Sequence, residues 1–208
     1  MGRSNSSQRW LQRQARDIYV QRAQQAGYRS RAAYKLLQLN EKDHFLQAGQ
    51  TIVDLGAAPG GWLQVAANIT GGGGTLIGLD RLPITPIPGV TLIQGDFHDA
   101  AILQQLTDAL AGQSPDLVIS DMAPNISGVP AIDQPRIMYL CELTLAFCQQ
   151  HLATGGDAVI KLFQGEGFDT FLQAVRRCFR QTKLRKPDAS RARSRELYLV
   201  ARHYHPAR

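Results

Sequence analysis

The run from Thr51 to Trp62, T-I-V-D-L-G-A-A-P-G-G-W, constrains this chain more than any other stretch, because it joins a buried-strand pattern to a carboxylate and a glycine-rich turn. Thr51, Ile52, Val53 and Leu55 are apolar or β-branched without alternation, the pattern of a strand covered on both faces. Gly56, Pro59, Gly60 and Gly61 then break the strand, and a helical stretch follows. Such a strand, turn and helix unit lets the backbone approach a ligand closely, with the free N–H groups of a helix N-terminus behind it. The spacing G-x-G-x-x-G, which serves a dinucleotide pyrophosphate, is absent.

The carboxylates narrow the choice of ligand. Asp54 falls at the turn, and Asp80, Asp96 and Asp121 close the strand-like runs T-L-I-G-L, T-L-I-Q-G and D-L-V-I-S. Taken singly, each acid reads equally well as a helix or turn cap. Four at one sheet edge repel a pyrophosphate and suit a ligand bearing a sulfonium, an ammonium, a ribose diol and an adenine amine. S-adenosylmethionine carries all four groups. Asp80 lies twenty residues beyond Gly60, the spacing at which an acid meets ribose hydroxyls in a βαβ nucleotide site. Asp96 suits the adenine amine, with Phe97 as an apolar ring edge beside it or as a core residue.

With 208 residues, 44 % of them hydrophobic, the chain can bury one good core. The expected division is a basic N-terminal arm over 1–29 and a single catalytic domain over 30–208. No apolar run approaches the roughly 20 residues of a membrane span, and the N-terminus carries no signal-peptide core, so a cytoplasmic protein is expected. Cys141, Cys148 and Cys178 form no C-x-x-C pair and have no histidine at ligand spacing, so they read as core thiols and no metal is expected. No long apolar stripe is left over, and a monomer is expected.

Strands are predicted at 51–55, 75–80, 91–94, 116–121, 157–162 and 196–202, with a weaker one at 182–186. Helices are predicted at 30–47, 60–69, 99–111, 134–152 and 168–179. This alternation gives a doubly wound α/β fold, a mostly parallel sheet of seven strands with helices on both faces. The last two strands supply an antiparallel edge, and ligand sits at the carboxyl ends of the parallel strands.

Charge is distributed unevenly. Residues 1–42 carry net +7, residues 176–208 net +9, and the segment between them net −10. Either basic flank alone reads as a solvated helix face. Together they suit a polyanion, and the candidate RNA contacts are Arg29 and Arg31 in the first flank and Arg191, Arg193 and Arg195 in the second.

Several runs in order, S-R-A-A-Y-K-L at 30–36, D-L-G-A-A-P-G-G-W, S-D-M-A-P-N at 120–125, K-L-F-Q-G-E-G-F at 161–168 and R-K-P-D-A-S-R-A-R-S-R-E at 185–196, resemble the FtsJ/RrmJ family over roughly residues 8–202. That family consists of ribosomal RNA methyltransferases acting on a uridine ribose 2′-hydroxyl in large-subunit 23S rRNA. The resemblance implies a Rossmann-like class I methyltransferase fold, S-adenosyl-L-methionine as methyl donor, and 23S rRNA within the 50S subunit as partner. It also implies a catalytic tetrad of Lys35, Asp121, Lys161 and Glu196, and cofactor contacts at Gly60, Trp62, Asp80, Asp96 and Asp121.

The residues give the tetrad a physical basis of their own. Lys161 ends the run V-I-K-L, where an uncompensated ammonium would be costly, unless its stem packs and its head snorkels to solvent. Asp121 ends one strand, Lys161 the next, and Glu196 begins a final strand that starts at the same edge if it runs antiparallel. Lys161 is then the candidate base for the ribose hydroxyl, and must first shed its own proton, which desolvation and a second cation at Lys35 favour and direct pairing with Asp121 or Glu196 would oppose. Alternatively it stays protonated and only steers the hydroxyl, with proximity supplying the rate. Two other functions fit less of the sequence: an amino-methyltransferase, whose aromatic turn residue is replaced here by Asn125, and a non-catalytic ribosome-assembly factor on the same fold.

Overall fold

The computed structural model describes residues 17–191 and 194–206. Seven strands, β1 (Thr51–Leu55), β2 (Thr75–Asp80), β3 (Val90–Gln94), β4 (Leu117–Ser120), β5 (Asp157–Phe163), β6 (Phe179–Arg185) and β7 (Glu196–Tyr204), form one sheet in the order β3-β2-β1-β4-β5-β7-β6. β1 to β5 pair in parallel, and β7 runs antiparallel to both β5 and β6. The antiparallel pairing therefore lies at the edge expected, with β7 one place in and β6 outermost. This is a Rossmann-like sheet whose order reverses between β1 and β4.

Alternation along the strands divides the core in two. Val53, Leu55, Ile77, Leu79, Val118 and Ile160 face helices α4 (Ala100–Ala109), α5 (Pro130–His151) and α6 (Phe168–Arg176). Ile52, Leu76, Leu117, Ile119, Val159 and Tyr198 face α2 (Ala32–Asp43) and α3 (Gly61–Thr70). Both faces are covered, so the strands read as continuous apolar runs.

Three departures from the sequence reading have local causes. Residues Ile18–Gln25, within the expected arm, form a helix, α1, that Asp17 caps by accepting from the Tyr19 N–H at 3.0 Å. α2 stops at Asp43, short of the predicted end at 47, because His44 takes a left-handed conformation at φ 48°, ψ 49° and Asn40 Oδ1 then caps Leu46 N–H at 2.8 Å. β6 begins earlier than its predicted start at 182, since this outermost strand is mostly solvated and carries little apolar signal. Among the described residues no helix is long and apolar enough to cross a membrane.

Candidate active site

The register of β5 and β7 builds the centre of the site. Lys161 pairs with Tyr198 and Phe163 with Glu196, so the start of β7 returns to the edge where β4 and β5 finish. Alternation turns Lys161, Tyr198 and, one strand over, Asp121 to the sheet face covered by α2, which contributes Lys35. Lys161 Nζ donates to the Asp121 carbonyl at 2.7 Å and to Asp121 Oδ1 at 3.0 Å. The Tyr198 hydroxyl donates to the same Oδ1 at 2.7 Å and accepts from Lys35 Nζ at 2.9 Å. Lys35 Nζ is also 3.0 Å from Glu196 Oε1 and 4.0 Å from Asp121 Oδ1. The four residues of the tetrad thus converge, and a phenol joins them.

Electrostatics matches this geometry. The side chains of Lys161, Lys35 and Glu196 are only 8 %, 11 % and 11 % exposed, so their charges depend on one another. Burial pushes the Asp121 carboxyl up, but the ammonium groups of Lys161 and Lys35 and the Tyr198 hydrogen bond outweigh it and hold the group below the ordinary range. Burial likewise raises Glu196, and Lys35 reverses the effect. Tyr198 moves the opposite way: burial and the carboxylates of Asp121 and Glu196 push its phenol well up, so it keeps its proton and remains a donor.

Beside this cluster opens a cleft of about 510 Å³ at the carboxyl ends of β1 to β4, lined among others by Gly56, Asp80, Asp96, Phe97 and Asp121. Gly56 sits at φ +80°, and a Cβ there would lie 2.5 Å from Met122 Cγ. Asp80 accepts from Ala58 N–H at 2.9 Å and Leu82 N–H at 2.8 Å, which fixes its carboxylate at the rim. Asp96 is held below the ordinary carboxylate range by the side-chain and backbone hydrogen bonds of His98, with Arg81 at 3.6 Å. Phe97 serves both readings made of it: it lines the cleft and packs edge-on against Phe147 at 5.8 Å.

Other expected residues are placed differently. Asp54 does not line the cleft. It lies inside β1, fully buried, with neither carboxylate oxygen hydrogen-bonded among the described residues, and burial followed by Asp121 and Asp80 pushes its carboxyl well up. The Trp62 indole is turned into the core, donating to Ala32 O at 2.8 Å and packing 5.8 Å from Tyr198. It braces the helix that carries Lys35, and only its main chain is left to meet a cofactor. Gly60, at φ +104°, lies under Arg29 and Ile87, which a Cβ there would meet at 2.9 and 3.0 Å.

Arg29 and Arg31, expected as RNA contacts, are both engaged within the fold. Arg29 donates to Pro59 O at 3.3 Å, Thr85 O at 2.6 Å and Pro86 O at 2.9 Å, clamping the 82–89 loop to the cofactor turn. Arg31 pairs with Asp17 and donates to Ala189 O. These contacts use three of the five guanidinium N–H groups of Arg29 and two of the five of Arg31. Arg191 and Arg195 are exposed, and Arg193 lies outside the described residues.

Sequence reasoning missed Tyr198, although its position two residues after Glu196 in a strand puts both on one face. It also missed His98 and Tyr139, which line the cleft and stack at 5.1 Å and 25°. Cys141, Cys148 and Cys178 are buried free thiols, and desolvation pushes Cys141 up to about 12. Among the described residues no group of three or more His, Cys, Asp or Glu could hold a metal ion.

The comparisons with known proteins give the family. A protein of Alkalilimnicola ehrlichii called ribosomal RNA large subunit methyltransferase E is 56 % identical over 200 residues, 96 % of each chain. One of the same name from Pseudomonas aeruginosa is 55 % identical over 202 residues, covering 97 % of this chain and 98 % of that one. A solved structure described as a candidate ribosomal RNA methyltransferase from Plasmodium falciparum superposes with a TM-score of 0.75 at 30 % identity, over 85 % of this chain and 98 % of that chain. Residues 28–204 match the sequence family described as FtsJ-like methyltransferase, and this chain belongs to that family.

Proposed function

We propose that this chain transfers a methyl group from S-adenosylmethionine to the ribose 2′-hydroxyl of a uridine in 23S rRNA of the 50S subunit, and thereby aids ribosome assembly. The observation that carries the reading is the continuous chain Lys161, Asp121, Tyr198, Lys35 and Glu196 at the mouth of the cleft. The names borne by its relatives support the RNA substrate.

The cleft fits the methyl donor. Asp80, Asp96 and Asp121 stand at successive strand ends, where their carboxylates suit a ribose diol, an adenine amine and an ammonium, and Phe97 offers an apolar edge. S-adenosylmethionine supplies a methyl group on a sulfonium, a leaving group that needs no activation. The ribose hydroxyl is a weak acid, so the protein's task is to orient it and to take its proton.

Lys161 suits that task. Its nitrogen has three valences besides the side-chain carbon, and two of them address the Asp121 carbonyl and carboxylate. In the neutral amine those are its two N–H groups, and the remaining lone pair accepts the hydroxyl proton. Asp121 orients Lys161, Tyr198 fixes Asp121, and the Lys35–Glu196 pair positions the ribose and its adjacent phosphate. The exposed Arg191 and Arg195 precede Glu196 in sequence, so phosphate contacts there bring the RNA backbone to the reaction centre.

The test is transfer of labelled methyl from S-adenosylmethionine to undermethylated large subunits, with wild type and Lys161→Ala, followed by nuclease digestion. A 2′-O-methyluridine lost in the variant is the expected product. Label on a base, or no label despite binding, overturns the reading. Faster turnover on 50S particles than on free 23S rRNA is expected, because an enzyme with few base-reading elements depends on RNA shape.

A further inference from the structure

A second hollow, of about 280 Å³, lies beyond the reaction centre on the side away from α2. Its walls include Ile126 of the loop after β4, Pro130 and Ile137 of α5, Phe163 and Gln164 at the end of β5, and Arg195 at the entry to β7. Phe163 follows Lys161 by two residues at the end of β5 and packs toward the α5 side of the sheet, and Lys161 Nζ is 6.0 Å from its ring centre. Phe163 pairs with Glu196 across the strands. The hollow is thus built onto the catalytic lysine by the strand that carries it.

We infer that this hollow is a nucleobase subsite that receives the base of the nucleotide whose ribose is methylated. The inference rests on the ribose methylation proposed above. A base hangs from the sugar carbon next to the one bearing the 2′-hydroxyl, so a hydroxyl held at Lys161 keeps its base within one residue's reach. Phe163 offers an aromatic face, and Ile126 and Ile137 make an apolar wall around it, the combination on which bases stack. Ile126 is 56 % exposed, an apolar side chain left uncovered at the rim.

Polar groups in the walls suit a flat neutral ring. Gln134 Nε2 donates to Phe163 O at 3.3 Å and Glu166 O at 3.1 Å, which fixes that amide and leaves its oxygen to accept. The Gln164 side chain has no protein partner among the described residues, so its amide offers a donor and an acceptor to a pyrimidine edge. Asp133 accepts from Ser127 N–H and Oγ at 2.8 Å and from Gly128 N–H at 2.9 Å. Its negative charge in the wall disfavours a phosphate inside the hollow, whereas exposed Arg195 at the rim suits the backbone phosphate outside it.

The experiment uses the full chain and 50S particles whose 23S rRNA carries 4-thiouridine at the methylated position. The same preparation is assayed for methylation and, after irradiation, for the peptide crosslinked to the base. A crosslink to Ile126–Pro130 or Phe163–Gln164 is expected. Gln164→Ala and Ile126→Ala are expected to raise the KM for particles roughly tenfold while the KM for S-adenosylmethionine stays unchanged. Particles that are methylated but crosslink elsewhere, or not at all, overturn the subsite and leave the methylation reading standing, as does an unchanged KM for particles in both variants. Particles that are not methylated by wild type overturn both.

Discussion

The Tyr198 hydroxyl donates to Asp121 Oδ1 at 2.7 Å while accepting from Lys35 Nζ at 2.9 Å, so one phenol connects the two lysines of the site through the carboxylate that holds Lys161. Tyr198 is fully buried and keeps its proton because burial and the carboxylates of Asp121 and Glu196 push its phenol well up. Tyr198→Phe removes that donor and leaves the ring that packs on Trp62. A hydrogen bond to a charged group is worth about 1.5–3 kcal/mol, so kcat is expected to fall roughly tenfold to a hundredfold. The KM for S-adenosylmethionine is expected to stay within about twofold, and steady-state assays separate the two effects.

Lys161→Arg keeps a cation beside Asp121 but cannot accept a proton near neutrality. If Lys161 is the base, the variant is expected to lose on the order of 10² to 10⁴ in kcat, close to the loss in Lys161→Ala. Recovery of most of the activity by Arg, with a rate that no longer follows pH, would assign Lys161 to steering the hydroxyl alone.

Much of this is legible in the sequence, because strands leave unambiguous apolar runs and the acids that end them fall at one sheet edge. Asp80, Asp96 and Asp121 occupy the cleft for that reason. Asp54 misleads because D-L-G reads as the start of the turn, whereas β1 continues through Leu55 and turns the carboxyl inward. The structural roles of Arg29 and Arg31 were not legible, because a charged residue in a basic flank gives no local sign of the distant carbonyls, at Thr85, Pro86 and Ala189, to which it donates. Tyr198 resembles any aromatic core residue until its hydroxyl is seen to meet Asp121.

Arg29→Ala releases the 82–89 loop from the turn at Pro59. Three hydrogen bonds to carbonyls are lost, each worth about 1 kcal/mol or less where water can replace them. The expected result is a rise of roughly tenfold in the KM for S-adenosylmethionine, with the salt dependence of RNA binding unchanged because the Arg29 guanidinium is committed to these carbonyls. A flatter salt slope in the variant would return Arg29 to the RNA-binding set.

The acids in the site and buried behind it predict two opposite responses to pH. Asp121 and Glu196 lie below their ordinary values, so their contribution to stability is complete above about pH 4–5 and is lost only as pH falls through the lowered values. Asp54 lies well above its ordinary value, chiefly through burial. The native protein therefore holds that proton where the unfolded chain has released it, and stability falls as pH rises from about 4 upward toward the raised value. Asp54→Asn keeps the shape and removes the titration. Its Tm is expected to exceed that of wild type by a margin that grows as pH rises from about 5 toward the raised value, by a few degrees for each kcal/mol involved. A margin that shrinks as pH rises would mean that Asp54 is ionised and paired in the folded protein, and thermal melts across that range distinguish the two.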